Sequence, residues 1–160
     1  MEKTLIVYYS HSGNTKKVAE YIAKKTNGDL LALKPLPSYP HNYNAVLEQA
    51  KKEIQGGVLP QLEMEKTDLT AYHTVFLGTP NWWGTMAPPL ASFLHKNNLS
   101  GKKAAVFCTH GGGGMTHVEK DAKNYGSSAE FLPGLAISGD GGSRMETTVT
   151  AWLEKIQEKA

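Results

Sequence analysis

The sequence predicts an α/β protein: a three-layer, doubly wound sheet of five parallel strands with helices on both faces. Short apolar segments alternate with segments of helical period, and that alternation joins parallel strands through crossover helices. The interior apolar segments, such as Val75-Phe76-Leu77 and Ala104-Ala105-Val106-Phe107, carry no polar alternation, as strands covered on both faces require. The length of 160 residues, with 40% hydrophobic and 20% charged, suits one domain over residues 1–160.

In chain order, the first strand is expected over residues 4–10, followed after Asn14 by a helix whose Val18, Tyr21 and Ile22 share one face. The second strand is expected over 30–33. A Pro-rich stretch, 34–40, then leads to a helix presenting Tyr43, Val46, Leu47, Ala50 and Ile54 to the core. After a connection over 55–72 the third strand covers 74–79. Pro88 and Pro89 suit only the first turn of a helix, which then turns Leu90, Phe93 and Leu94 inward. The fourth strand is expected over 103–109, a helix on Val118, Ala122 and Tyr125, the fifth strand over 135–138, and a last helix on Met145, Val149, Trp152, Leu153 and Ile156.

Lys and Arg number 17 against 15 Asp and Glu, a formal charge of +2, which points to neither nucleic acid nor an anionic membrane as partner. No apolar stretch approaches the roughly 20 residues that cross a bilayer. The single cysteine, Cys108, has no partner for a disulfide or a zinc site, and His110 and His117 find no thiol or carboxylate to complete a metal set. Cys108 lies inside an apolar strand and reads as a core residue rather than a nucleophile. The N-terminal apolar run Leu5–Tyr9 is too short for a secretory h-region, so a cytoplasmic protein is expected.

In an open parallel sheet, ligands bind beyond the carboxyl ends of the strands near the point where strand order reverses, so the loops leaving the strands carry the chemistry. The first is Ser10-His11-Ser12-Gly13-Asn14-Thr15. N–H groups and the positive dipole end at a helix N-terminus favour an anion; Ser10, Ser12, Asn14 and Thr15 add side-chain donors, and Gly13 permits close approach. A helix cap alone needs fewer donors. With no Lys or Arg inside the loop, dipoles balance the charge, which suits a phosphate monoester better than a polyphosphate with its metal. Neither G-x-x-x-x-G-K-[ST] nor G-x-G-x-x-G occurs. His11 is either a titratable donor beside the phosphate or a solvent-facing side chain.

The second loop, residues 78–89, contains Pro80, Asn81, Trp82, Trp83 and Gly84. Each tryptophan carries on the order of 200 Å² of surface, so the rings need a core or a flat partner; one is expected inward and one toward the ligand. The third loop, Thr109-His110-Gly111-Gly112-Gly113-Gly114, places a glycine run at the end of a central strand, where backbone can lie flat against a planar ligand.

Together these motifs resemble a flavodoxin of the short-chain kind: Ser-His-Ser-Gly-Asn-Thr is similar to the family's hydroxyl-rich FMN-phosphate loop, Gly-Thr-Pro-Asn-Trp-Trp-Gly to its second flavin loop and Thr-His-Gly-Gly-Gly-Gly to its third. The resemblance implies strand order 2-1-3-4-5 and FMN at the C-terminal edge. It places the phosphate on Ser10, Ser12, Gly13, Asn14 and Thr15, and the ring between Pro80–Gly84 and Thr109–Gly113. It implies a monomeric, low-potential electron carrier serving a reductase and an acceptor protein, with no catalytic residues of its own. It also implies that a backbone carbonyl near Gly84 can turn toward the ring. Two departures point to a small FMN-dependent NAD(P)H:quinone oxidoreductase instead: the chain is not acidic, and Thr109-His110-Gly111 stands where a stacking tyrosine is usual. The absence of a second nucleotide motif and the short loops favour the carrier.

Overall fold

The computed structural model describes residues 3–64, 66–126 and 128–159. Strand β1 (Lys3–Tyr8) is flanked by β2 (Asp29–Ala32) on one side and β5 (Tyr72–Trp82) on the other. β7 (Lys103–His110) lies beyond β5, and β9 (Leu135–Ser138) beyond β7, every pairing parallel. The five predicted strands therefore stand in the order 2-1-3-4-5. Strand order reverses between β1 and β5, whose register runs Thr4 opposite Thr74 to Tyr8 opposite Gly78.

The central strands divide their side chains by the period of two. Leu5, Val7, Val75, Leu77, Ala104, Val106 and Cys108 face the layer formed by α2 (Tyr43–Gly56), α3 (Pro88–Lys96) and α4 (Val118–Tyr125). Ile6, Tyr8, Phe76, Ala105 and Phe107 face α1 (Asn14–Thr26) and α5 (Met145–Lys159). Burial on both sides explains the uninterrupted apolar runs.

The helix termini follow local chemistry. Asn42 Oδ1 caps α2 by accepting the Ala45 N–H at 2.9 Å, and Gly57 closes it in the left-handed conformation. Pro88 and Pro89 occupy the first turn of α3, where their missing N–H groups cost nothing. Two expected core residues lie outside: Tyr43 is 52% and Tyr125 42% exposed. Each stands at an end of its helix, beyond the sheet surface that its stripe covers.

Several short strands escaped the sequence pattern. β3 (Pro35–Leu36) and β4 (Gln61–Leu62) form a separate antiparallel pair linking the two long connections. β8 (Glu130–Phe131) and β9 both pair with β7, at its beginning and its end respectively, so the fifth strand position is split by the residues around Pro133. β5 runs three residues beyond its predicted end and folds back onto β6 (Thr85–Met86), with Trp82 opposite Thr85. Trp83 (φ 58°) and Gly84 (φ 82°) form its two-residue turn, both left-handed as in type I′ hairpins.

Candidate functional site

Beyond the C-terminal ends of β1, β5 and β7 a cleft opens at the switch point. Its walls are His11, Ser12, Asn14 and Thr15 from the first predicted loop, Pro80, Asn81 and Trp82 from the second, and Thr109, His110 and Gly111 from the third. Three segments distant in sequence thus meet as expected. Gly139 and Tyr43 complete the lining. Ser10, Gly13, Trp83, Gly84, Gly112 and Gly113 belong to the same loops but are not among its lining residues.

Gly13 is the N-cap of α1 in the left-handed conformation (φ 99°), which an L side chain rarely adopts. Ser10 braces the turn: its Oγ accepts the N–H groups of Gly13 (3.2 Å) and Lys16 (3.1 Å), leaving its own proton for a ligand. Among the described residues, no hydrogen bond uses the N–H groups of Ser12, Asn14 or Thr15, or the side chains of Ser12 or Asn14. Thr15 is buried, and its hydroxyl pairs with that of Thr109 at 2.8 Å, tying the first loop to the third.

His11 lines the cleft and is tied down by one ring nitrogen, so it is not a side chain free in solvent. Its Nε2 donates to the Pro40 carbonyl at 3.0 Å, because a carbonyl only accepts. The ring lies against Trp82 and Tyr43, and Nδ1 is buried without a partner. In the neutral ring that nitrogen is an acceptor.

One tryptophan packs inward, as expected, and the same ring, not its neighbour, reaches the cleft. Trp82 is 2% exposed, edge-on to Tyr9 and Tyr39, and reaches the cleft. Tyr39 donates to Glu53 Oε1 at 2.5 Å, and burial, then that bond, pushes its phenol far above the ordinary range. Trp83 is not among the lining residues of the cleft: its Nε1 donates to Leu47 O at 2.8 Å, and Lys51 Nζ lies 5.0 Å from the ring centroid. The reason is the hairpin, in which the turn residues leave the plane of the strands.

The second and third loops are fastened together. Asn81 bonds Gly84 N–H, Gly114 O and the Thr116 hydroxyl, and the Gly84 carbonyl accepts His117 N–H at 2.8 Å. A turn of the Trp83–Gly84 peptide must therefore break the bond from Gly84 N–H to Asn81.

Sequence reasoning missed a fourth contribution, Gly139-Asp140-Gly141-Gly142 after β9. Gly139 N–H donates to His110 O at 2.8 Å, and Asp140 pairs with Lys17 of α1 at 3.0 Å. The Gly142 N–H, then Lys17, holds the exposed Asp140 carboxyl below its usual range. A glycine-rich segment at a strand end was the signal, the same one that marked the third loop. Cys108 is a core residue: it is fully buried, and burial pushes its thiol up to about 12. No group of three or more His, Cys, Asp or Glu that could hold a metal occurs among the described residues.

The donor set suits a flavin phosphate. Unused N–H groups and hydroxyls converge at the start of a helix, as a phosphate monoester requires, and a flat, largely uncharged wall of Trp82, Pro80 and glycine backbone adjoins them.

The flavodoxin family model matches residues 3–156 of the chain. A curated relative, NAD(P)H dehydrogenase (quinone) 3 of Rhizobium meliloti (strain 1021), is 31% identical over 122 residues, covering 69% of this chain and 54% of the relative. The chain therefore spans about half the length of that protein. Among solved structures, a candidate flavoprotein from Bacteroides eggerthii DSM 20697 superposes with TM-score 0.85 at 24% identity, over 98% of this chain and 99% of the other. A flavoprotein in complex with FMN from Lactobacillus acidophilus NCFM superposes with TM-score 0.72 at 25% identity, over 93% and 99% respectively.

Proposed function

The chain belongs to the flavodoxin family, and on that premise we propose that it binds FMN in this cleft and works as a low-potential electron carrier between a reductase and an acceptor protein. The observation carrying the reading is the set of unused donors, the N–H groups of Ser12, Asn14 and Thr15 and the side chains of Ser12 and Asn14, beside the wall formed by Trp82. When bound, FMN supplies the redox chemistry.

The chain's own residues supply grip and electrostatics. Ser12, Asn14 and Thr15, with the dipole of α1, would hold the phosphate; Pro80, Asn81 and Trp82 on one side and Thr109, His110 and Gly111 on the other would border the ring. Among the described lining residues there is no lysine or arginine, so negative charge arriving in the cleft meets no counter-charge, which favours a low potential. Short loops and the lack of a second nucleotide motif favour protein partners, with the protein monomeric and in the cytoplasm. No helix among the described residues is long and apolar enough to cross a membrane.

Two tests apply. Ser12→Ala is expected to weaken FMN about tenfold, the value of one charge-assisted hydrogen bond, and to leave riboflavin unchanged, since riboflavin has no phosphate. Titrating flavin fluorescence measures both; equal losses contradict the phosphate assignment. Thr15→Ala is less clean because it also strips Thr109 of its partner.

The Rhizobium relative's name, the formal charge of +2 and Thr109-His110-Gly111 in place of a stacking tyrosine support a second reading, an FMN-dependent NAD(P)H:quinone oxidoreductase. Steady-state NAD(P)H oxidation separates the two. The carrier shows no sustained turnover with quinone unless a reductase is added, and rapid turnover by the purified protein alone transfers the assignment.

A further inference from the structure

We propose that Asn81 is a positioning residue whose carboxamide clips the β5–β6 turn to the glycine loop after β7 and thereby sets the gap that receives the flavin ring. The inference rests on the FMN reading above and concerns the ring end of the cleft.

Asn81 Nδ2 donates to Gly114 O at 2.7 Å and to the Thr116 hydroxyl at 3.2 Å, while Oδ1 accepts Gly84 N–H at 2.9 Å. A backbone N–H and a backbone carbonyl leave no ambiguity over which end of the amide is which. Both donor hydrogens and one lone pair are thus spent within the protein, so the side chain has little left to offer a ligand directly. The bonds span 33 and 35 residues of sequence on one side and 3 on the other, joining two loops beyond the last β5–β7 pair, Pro80 opposite Thr109, where the backbone bond from His117 N–H to Gly84 O at 2.8 Å also links them. Thr116 continues the clip by donating to Gly113 O at 2.9 Å.

The glycine run 111–114 loses more backbone entropy on ordering than any other stretch of four residues could. A loop of that kind holds one wall of a slot only if something outside it fixes its position. Asn81 does so before the ligand arrives, alongside the Cys108 thiol on Gly114 O at 3.7 Å and the His117 N–H on Gly84 O, and an ordered slot binds a rigid planar ring more tightly than one that must be ordered on binding.

The test compares FMN with riboflavin, which shares the ring and lacks the phosphate, on Asn81→Ala and Asn81→Asp. The alanine variant is expected to weaken both flavins by the same factor, about tenfold, because the ring slot loosens while the phosphate loop is untouched. The aspartate variant keeps an acceptor for Gly84 N–H but turns a carboxylate oxygen toward Gly114 O, and is expected to lose at least as much. The visible dichroism of the bound flavin is expected to change in both variants. In the unaltered protein without flavin, the Gly84 amide is expected to exchange slowly with solvent for a turn residue; fast exchange overturns the proposal even if neither variant folds. Unchanged affinities, or a loss confined to FMN, also overturn it while leaving the cofactor reading intact. If the unaltered protein takes up neither flavin, the cofactor reading falls and this inference with it.

Discussion

Trp82→Ala is expected to destabilise the protein by about 3–5 kcal/mol, and Trp83→Ala, its neighbour in sequence, by only about 1 kcal/mol. Trp82 is 2% exposed and touches Tyr9, Tyr39 and His11, with ring centroids 5.5–6.1 Å apart. Removing it opens a cavity in a cluster whose members cannot collapse inward: Tyr39 is held by Glu53 and His11 by the Pro40 carbonyl. Trp83 is half exposed and loses one hydrogen bond to Leu47 O and the company of Lys51. Urea unfolding followed by far-ultraviolet dichroism measures both, independent of the lost fluorophore. Equal losses for the two variants contradict the inward placement of Trp82. Flavin affinity is expected to fall for Trp82→Ala beyond what the stability loss explains, since the same ring borders the cleft.

Gly78→Ala is expected to cost about 3 kcal/mol although it adds one methyl group. A Cβ at residue 78 lies 2.2 Å from Phe107 Cζ and 2.5 Å from its Cε2, on the partner strand directly opposite. Phe107 is fully buried against Trp152, at a centroid distance of 6.4 Å, so the ring has no free volume to enter. Thermal or urea unfolding gives the magnitude, and a double variant supplies the mechanism. Gly78→Ala with Phe107→Leu is expected to be more stable than the two separate losses predict, because leucine vacates the space the methyl needs. Strict additivity would mean that the cost arises from something other than this contact.

The five main strands were legible because burial on two faces writes itself into sequence as unbroken apolar runs, and the helices because burial on one face leaves a stripe. Tyr43 and Tyr125 show the limit of that signal. Periodicity reports which face a residue is on, whereas the extent of the neighbouring surface decides whether that face is covered. The loops were recognised by donor and glycine content, which depends on composition alone. That content could not show Trp83 leaving the cleft, which follows from the type I′ turn, or His11 donating across 29 residues to Pro40.

By itself the sequence determined a doubly wound α/β layer order, the family, and the identity of the loops at the strand ends, since each depends on residue type and spacing along the chain. Only the tertiary structure decided which groups in those loops are already spent and which remain for a ligand: the Thr15 hydroxyl and the Asn81 carboxamide are engaged, whereas the Ser10 hydroxyl proton, Ser12 and the N–H groups of Asn14 and Thr15 are not. Hydrogen-bond partners are chosen by proximity in space, and segments separated by 29 to 94 residues meet here only because the strands carrying them end side by side.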